Sequence, residues 1–140
     1  MADIRQVTDT FAVAPQLEVE DFAELKALGF THIINNRPDS EVGGGQPASR
    51  EAEAAAKAAG LTYVHAPFVG QPTPEAVQAA AKAAGKTLAY CRSGTRSATA
   101  WALSQAQNGR MSAEEITHAA AGAGYNLSAL KDALRQLGAR

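Results

Sequence analysis

The chain has 140 residues, of which 46% are hydrophobic and 19% charged, and its formal net charge at pH 7 is −1. This composition predicts one globular domain over 1–140 rather than a disordered chain. The balance of charge gives no support for binding to nucleic acid or to a membrane surface. The single cysteine, the absence of a long apolar run and an N-terminus without a signal-peptide core predict a cytoplasmic protein.

Short apolar segments alternate with helical patterns through the first two thirds of the chain. The apolar and β-branched residues predict strands at 10–14, 31–35, 61–65 and 86–90. Helices are predicted between them at 19–28, 49–59 and 74–84, each followed by glycine. The expected caps of the second and third helices are Ser49 and Thr73, and the expected buried face of the first is Val19, Phe22, Leu25 and Leu28.

From residue 97 onward the pattern is helical. A helix over 97–107 precedes a capping box of Ser112 and Glu115, and Asn126 is the expected cap of a last helix. That helix carries an apolar stripe expected in the core, made of Leu127, Leu130, Leu134 and Leu137. The order of elements predicts a three-layer α/β fold, with a central, mostly parallel sheet of four or five strands flanked by helices, and a helical C-terminal part.

The only cysteine, Cys91, lies between a predicted strand and a predicted helix. Free N–H groups and the dipole at a helix N-terminus attract an anion such as a thiolate. Gly94 allows a tight backbone path, and Arg96 can hold an oxyanion through two parallel hydrogen bonds. We therefore predict a thiolate nucleophile and, in the loop 91–97, an oxyanion site that also includes Arg92, Ser93, Thr95 and Ser97. The alternative is that Cys91 is only a small buried hydrophobe.

Ligands bind at the carboxyl ends of parallel strands, where three predicted loops should meet. One is the loop over 37–47, with Arg37, Asp39 and three glycines at 43–45, and another follows His65. These three named side chains are candidate auxiliary residues of the site. An equal alternative is that Arg37 and Asp39 only pair with each other or with loop backbone.

Metal binding has little support from the sequence. His32, His65 and His118 are far apart and show no ligand spacing, so we predict neither a metal nor another cofactor.

Several blocks of sequence together resemble one bacterial family. They are Phe11-Ala12-Val13-Ala14-Pro15-Gln16-Leu17, Leu28-Gly29-Phe30, Ile33-Ile34-Asn35-Asn36-Arg37-Pro38-Asp39-Ser40-Glu41, Ala59-Gly60-Leu61 and Tyr90-Cys91-Arg92-Ser93-Gly94-Thr95-Arg96-Ser97. The chain from about residue 7 to 107 resembles the phosphatase-like domain of β-lactamase-hydrolase-like proteins, long classed as a domain of unknown function. The resemblance implies a dual-specificity-phosphatase-like fold, with Cys91 as the nucleophile and Arg96 binding the oxyanion.

Two features depart from the phosphatase pattern. Four residues separate Cys91 from Arg96, which is one fewer than in protein tyrosine phosphatases and is the spacing typical of rhodanese loops. In addition, Tyr90 stands where those phosphatases usually have histidine before the cysteine. The loop over 67–74 lacks the acidic residue that normally protonates a leaving oxygen. Asp39, Glu41 or Glu75 could substitute, but spacing alone places none of them.

These departures favour a sulfurtransferase that forms a persulfide on Cys91, because sulfite leaves thiosulfate as an anion without an acid. The alternatives are a cysteine-dependent phosphatase with a Cys91 phosphoenzyme, and a non-catalytic anion-binding or redox-sensing module. The expected partners are a small-molecule anion (thiosulfate, a persulfide or a phosphate ester) and an acceptor thiol. Since the resemblance implies that some relatives carry a metal-dependent sulfur-oxidising domain, a sulfur-oxidising partner enzyme would act in trans.

Overall fold

The computed structural model describes residues 2–41 and 45–140. Gly43 and Gly44 of the predicted loop over 37–47 lie outside the described residues. Among the described residues every helix is too short or too polar to cross a lipid bilayer.

The described part of the chain contains one five-stranded sheet, in the order β1-β2-β5-β3-β4. Its strands are β1 (Arg5–Gln6), β2 (Phe11–Ala14), β3 (His32–Asn35), β4 (Thr62–His65) and β5 (Thr87–Tyr90). The last four are mutually parallel, as predicted, and β1 pairs with β2 in the antiparallel direction. The sequence did not indicate β1, because two polar residues carry no strand pattern.

Helices cover both faces of the sheet. They are α1 (Asp21–Ala27), α2 (Ser49–Ala58), α3 (Pro74–Ala81), α4 (Thr95–Asn108), α5 (Ala113–Gly122) and α6 (Lys131–Leu137). Phe22 of α1 and Ala56 of α2 belong to the core on one face. Trp101 of α4, Ile116 of α5 and Leu134 of α6 belong to the core on the other. Because successive strand side chains point to opposite faces, β2, β3 and β5 contribute to both cores, while β4 contributes Tyr63 to one of them. This arrangement confirms the three-layer α/β prediction.

The first helix is shorter than predicted, and two residues of its expected buried face are exposed. Val19 is 37% exposed and Leu28 is 51% exposed. The Asp21 carboxylate accepts the N–H of Glu18 at 2.8 Å, and this local turn precedes the helix. Val19 therefore lies in the turn, and Leu28 is the residue after the last helical turn, so only the middle of the predicted stripe reaches the core.

Two of the four predicted caps differ in detail. Thr73 and Ser112 accept N–H groups of α3 and α5 as predicted. Ser49, however, is the first residue of α2 rather than its cap. Asn126 Oδ1 accepts the N–H of Ser128, which starts a 3₁₀ turn rather than α6.

The 3₁₀ turn also divides the predicted leucine stripe of the last helix. Leu127 and Leu134 are buried, but Leu137 is 43% exposed. A 3₁₀ turn has three residues per turn, so residues before it and after it do not keep the 3.6-residue spacing of one helix face. The stripe therefore supplies core residues only in part.

Candidate active site

The register of the sheet brings three loops together. Asn35 at the end of β3 is paired with His65 at the end of β4 and with Tyr90 at the end of β5. The segments that follow these strands therefore leave the same edge of the sheet side by side, as the sequence predicted.

Cys91 lies at the base of the loop between β5 and α4. Its side chain is completely buried, and its Sγ accepts the backbone N–H of Gly94 at 3.1 Å. Gly94 adopts φ +100°, a left-handed conformation that favours glycine, and is the residue before the first turn of α4. The sulfur is therefore held next to the N-terminus of a 14-residue helix, where unpaired N–H groups and the dipole stabilise negative charge.

Arg96 lies in the first turn of α4, and both of its terminal nitrogens are bound to Glu41. Nη1 donates to Oε2 at 2.9 Å and Nη2 to Oε1 at 2.8 Å. Nη1 also donates to the carbonyl of Phe68 at 3.1 Å. The carboxylate thus occupies the pair of donors that an oxyanion would need.

The second arginine of the site, Arg37, binds the same carboxylate. Its Nε donates to Glu41 Oε1 at 2.8 Å, and its Nη1 donates to Gln16 at 2.9 Å. His65 Nε2 is 2.8 Å from the Arg37 carbonyl oxygen. Arg37 does not pair with Asp39; its guanidinium is a buried cation held by the side chains of Glu41 and Gln16.

The electrostatics of this cluster keep Glu41 ionised. Hydrogen bonds from Arg96, reinforced by Arg37, hold the pKa of Glu41 below its ordinary value. The bond with Glu41 raises the pKa of Arg96 in turn. A carboxyl group in this state has no proton to give near neutral pH, so Glu41 is not available as the general acid while the pair persists.

Asp39 makes a structural contact at the start of α2. Its Oδ1 accepts the N–H of Ser49 at 2.7 Å, at the N-terminus of α2. The Ser49 hydroxyl is free for Tyr63 Oη, 2.8 Å away. Asp39 therefore takes the role of helix cap that the sequence analysis gave to Ser49.

The loop between β4 and α3 contributes backbone and apolar side chains. Phe68 gives its carbonyl to Arg96, and the neighbouring Val69 is 74% exposed. Glu75 lines a separate groove of ≈ 500 Å³ between β4 and α3, which contains no residue of the loop 91–97. None of Asp39, Glu41 and Glu75 is therefore placed as a free proton donor.

The remaining predicted site residues have different environments. Arg92, Ser93 and Thr95 are exposed on the loop, where the two hydroxyls are 3.3 Å apart. Ser97 is buried, and its hydroxyl donates to Asn36 Oδ1 at 2.8 Å. Tyr90 packs against Phe22 in the core beside α1, with ring centroids 6.5 Å apart, and burial raises the pKa of its hydroxyl.

Asn36 joins the three loops, a role that the sequence analysis did not assign. Besides accepting from Ser97, it donates its Nδ2 to the Ala66 carbonyl at 2.9 Å and its backbone N–H to the Tyr90 carbonyl at 2.8 Å. Asn36 is the first residue of the Asn-Arg-Pro-Asp block. The only feature of the sequence that could have indicated its role is an amide side chain directly after a predicted strand. Tyr125, whose hydroxyl donates to the Ser93 carbonyl, was also missed and had no local signal.

Among residues 2–41 and 45–140, no three His, Cys, Asp or Glu side chains gather where a metal ion could be held. His32 is half-buried with its Nδ1 2.7 Å from the Thr31 hydroxyl, and His118 is exposed on α5.

The fold and the sequence both have known relatives. The sequence model of the family described as "Beta-lactamase hydrolase-like protein, phosphatase-like domain" matches residues 3–108. A beta-lactamase hydrolase-like protein of Agrobacterium fabrum is 36% identical over 129 residues, which cover 89% of this chain and 30% of the relative. The corresponding Xylella fastidiosa Temecula1 protein is 33% identical, also over 30% of its length. The chain thus spans about a third of the curated relatives that it matches.

A solved structure from Neisseria meningitidis, described as a candidate phosphatase, has a TM-score of 0.78 at 31% identity, covering 96% of this chain and 97% of that one. Tk-PTP has a TM-score of 0.69 at 16% identity, covering 96% and 95%, a likeness that concerns the fold alone. These similarities confirm the phosphatase-like fold that the sequence analysis expected. The chain belongs to the family of phosphatase-like domains of beta-lactamase hydrolase-like proteins.

Proposed function

We propose that the protein is a cysteine-dependent phosphomonoester hydrolase. The observation that carries this proposal is the Cys91 sulfur at the base of a helix-N-terminal loop, beside Arg96, in a chain of the phosphatase-like family. The comparisons therefore favour the phosphatase alternative of the sequence analysis over its sulfurtransferase hypothesis.

In the proposed reaction the Cys91 thiolate attacks phosphorus, the P–O ester bond breaks, and the alcohol oxygen leaves with the electron pair. The phosphoryl group is then on sulfur, and water displaces it as inorganic phosphate. N–H groups of the loop and the guanidinium of Arg96 stabilise the charge on the phosphoryl oxygens. Arg96 must exchange at least one bond to Glu41 for a bond to substrate.

Since Asp39, Glu41 and Glu75 have other contacts or positions in the described part of the chain, we expect a marked dependence of the rate on the leaving group. For a series of aryl phosphates, we expect kcat/KM to fall on the order of severalfold for each unit of pKa of the leaving phenol, because the phenolate departs unprotonated. Steady-state kinetics across the series measure this slope. A rate that does not depend on the phenol would show that an acid is present in the working site.

Sulfur transfer is the second candidate, and the spacing of Cys91 and Arg96 together with the missing acid favours it. Here the thiolate attacks the sulfane sulfur of thiosulfate, the S–S bond breaks, and sulfite leaves with the electron pair. Intact mass after incubation with thiosulfate separates the two candidates. A gain of one sulfur atom, reversed by cyanide, would establish the persulfide and replace the phosphatase proposal. If the protein transfers sulfur, its partners would be an acceptor thiol, which takes the sulfur from Cys91, and a sulfur-oxidising enzyme that acts in trans.

Glu41 competes with the substrate anion, so its neutralisation should strengthen anion binding. We expect Glu41→Gln to bind inorganic phosphate about tenfold more tightly at pH 7, because a negative charge close to the site is removed. Isothermal titration calorimetry measures this change. Glu53→Gln, which removes an equal charge from the exposed face of α2, is the control and should change affinity less than about twofold.

The same variant should be less stable, in a pH-dependent way. The pKa of Glu41 is lowered in the folded protein, so the ion pairs stabilise fully above its ordinary value of 4.5 and are lost as the pH falls through the lowered value. The stability difference between wild type and Glu41→Gln should therefore shrink in acid.

For the binding experiment, unchanged or weaker phosphate binding by Glu41→Gln at pH 7 would instead mean that Glu41 positions Arg96 for the anion.

A further inference from the structure

Tyr125, in the segment after α5, contacts the loop 91–97 on the side of the Ser93 carbonyl. Its hydroxyl donates to the Ser93 carbonyl at 3.0 Å and is itself 3.2 Å from a donor nitrogen of Arg5 on β1. The Arg5 guanidinium also lies 5.3 Å from the centre of the Tyr125 ring. The side chain is 5% exposed, and it lies outside the residues 3–108 that the family model matches.

The bonded carbonyl belongs to the peptide group that binds the nucleophile. The Ser93 carbonyl and the Gly94 N–H are the two ends of one peptide unit, and in a planar trans peptide they point in opposite directions. Tyr125 holds the carbonyl end on the outside of the loop. The N–H end consequently points to Cys91 Sγ, 3.1 Å away.

Gly94 makes this contact necessary. A residue without Cβ at φ +100° can rotate its peptide planes at little cost, so the backbone alone does not fix the direction of this N–H group. A Cβ added at Gly94 would lie 1.9 Å from Tyr125 Oη, which shows how closely the hydroxyl abuts the loop. The hydroxyl thus limits the movement that glycine permits.

We propose that Tyr125 is a positioning residue, which orients the Ser93–Gly94 peptide so that its N–H stabilises the Cys91 thiolate. The proposal rests on the proposed function, in which that thiolate is the nucleophile. The other charged or titratable groups around Cys91 are Arg96 on α4, Glu41 bound to Arg96, and Arg5, which binds Asp3 and Tyr125. The exposed Arg92 lies in the same loop.

The test is the pH dependence of alkylation by iodoacetamide, followed by intact mass. Because Cys91 is the only cysteine, every thiol adduct reports on this residue. In Tyr125→Phe, which keeps the ring, we expect the midpoint of the rate–pH curve to move up by about one pH unit. The reason is that the Gly94 N–H, no longer oriented by Tyr125, loses its charge-assisted hydrogen bond to the thiolate. Arg5→Gln, a change on the partly exposed β1 strand, should move the midpoint in the same direction by less.

The control is Thr117→Val, which removes a buried hydroxyl from α5, where it bonds only to carbonyls of its own helix. We expect it to lower the melting temperature and leave the midpoint unchanged. A midpoint in Tyr125→Phe equal to that of the wild type would overturn the positioning role. A wild-type midpoint near about 8.5, the value of an ordinary thiol, would count against the proposed thiolate chemistry, and the difference between the two proteins would still decide the role of Tyr125.

Discussion

Cys91→Ser is expected to lower turnover of an aryl phosphate by about 10⁴-fold or more, while inorganic phosphate still binds within about threefold of the wild-type affinity. The hydroxyl is a much weaker nucleophile than a thiolate. The elements proposed to bind the anion, namely the loop N–H groups and Arg96, do not depend on the sulfur. Steady-state kinetics and calorimetry on the same preparation measure the two quantities.

The matched control for this prediction is Ser104→Ala. Ser104 is buried on the same helix as Arg96, and its hydroxyl donates to the Trp101 carbonyl at 2.6 Å. Losing that bond should change stability modestly and leave turnover unchanged. Turnover in Cys91→Ser within tenfold of the wild type would refute Cys91 as the nucleophile. Loss of phosphate binding with a normal melting temperature would place the anion site elsewhere.

Gly94→Ala is expected to destabilise the protein by about 3 kcal/mol or more. The new Cβ would lie 1.9 Å from Tyr125 Oη, 2.7 Å from its Cζ and 3.0 Å from Val13 Cγ1, all of them in the packed interior. Alanine would in addition have to adopt φ +100°, which strains an L-residue. Urea denaturation measures the change in unfolding free energy.

Gly70→Ala separates the effect of the steric collision at Gly94 from the effect of backbone strain. Gly70 also has a left-handed backbone, with φ +76°, but nothing lies within 4 Å of the added Cβ. We expect a loss of about 1 kcal/mol from backbone strain alone, so the excess at Gly94 measures the collision with Tyr125 and Val13. Equal effects at the two glycines would mean that the catalytic loop can shift away from Tyr125 without penalty.

The sequence predicted the parts of this fold that depend on local pattern. Three of the four parallel strands are mostly buried, and the fourth, β4, was indicated by β-branched and aromatic residues. The loop with Cys91 directly follows a strand end in the sequence. The same adjacency, with the rule that parallel strands end at one edge, brought Arg37, His65 and Cys91 to one region. Where an element is short and polar, as in β1, the pattern gave no indication.

Contacts between distant segments could not be predicted in this way. Glu41 and Arg96 are 55 residues apart, and Tyr125 is 32 residues from Ser93, so no window of the sequence contains both partners. Asp39 illustrates a different reason. A carboxylate near a strand end fits either an acid catalyst or a helix cap, and only the position of α2, ten residues later, decides between them.

Tyr125 and the helices α5 and α6 lie beyond the residues that the family model matches. A fragment ending at Asn108, where the match to the family ends, would retain Cys91 and Arg96. It would nevertheless lack the donor to the Ser93 carbonyl, and it would expose Trp101 and its neighbours, which α5 and α6 cover. The end of the sequence match therefore does not coincide with the end of the structure that supports Cys91, because α5 and α6 pack on α4 and Tyr125 binds the loop 91–97.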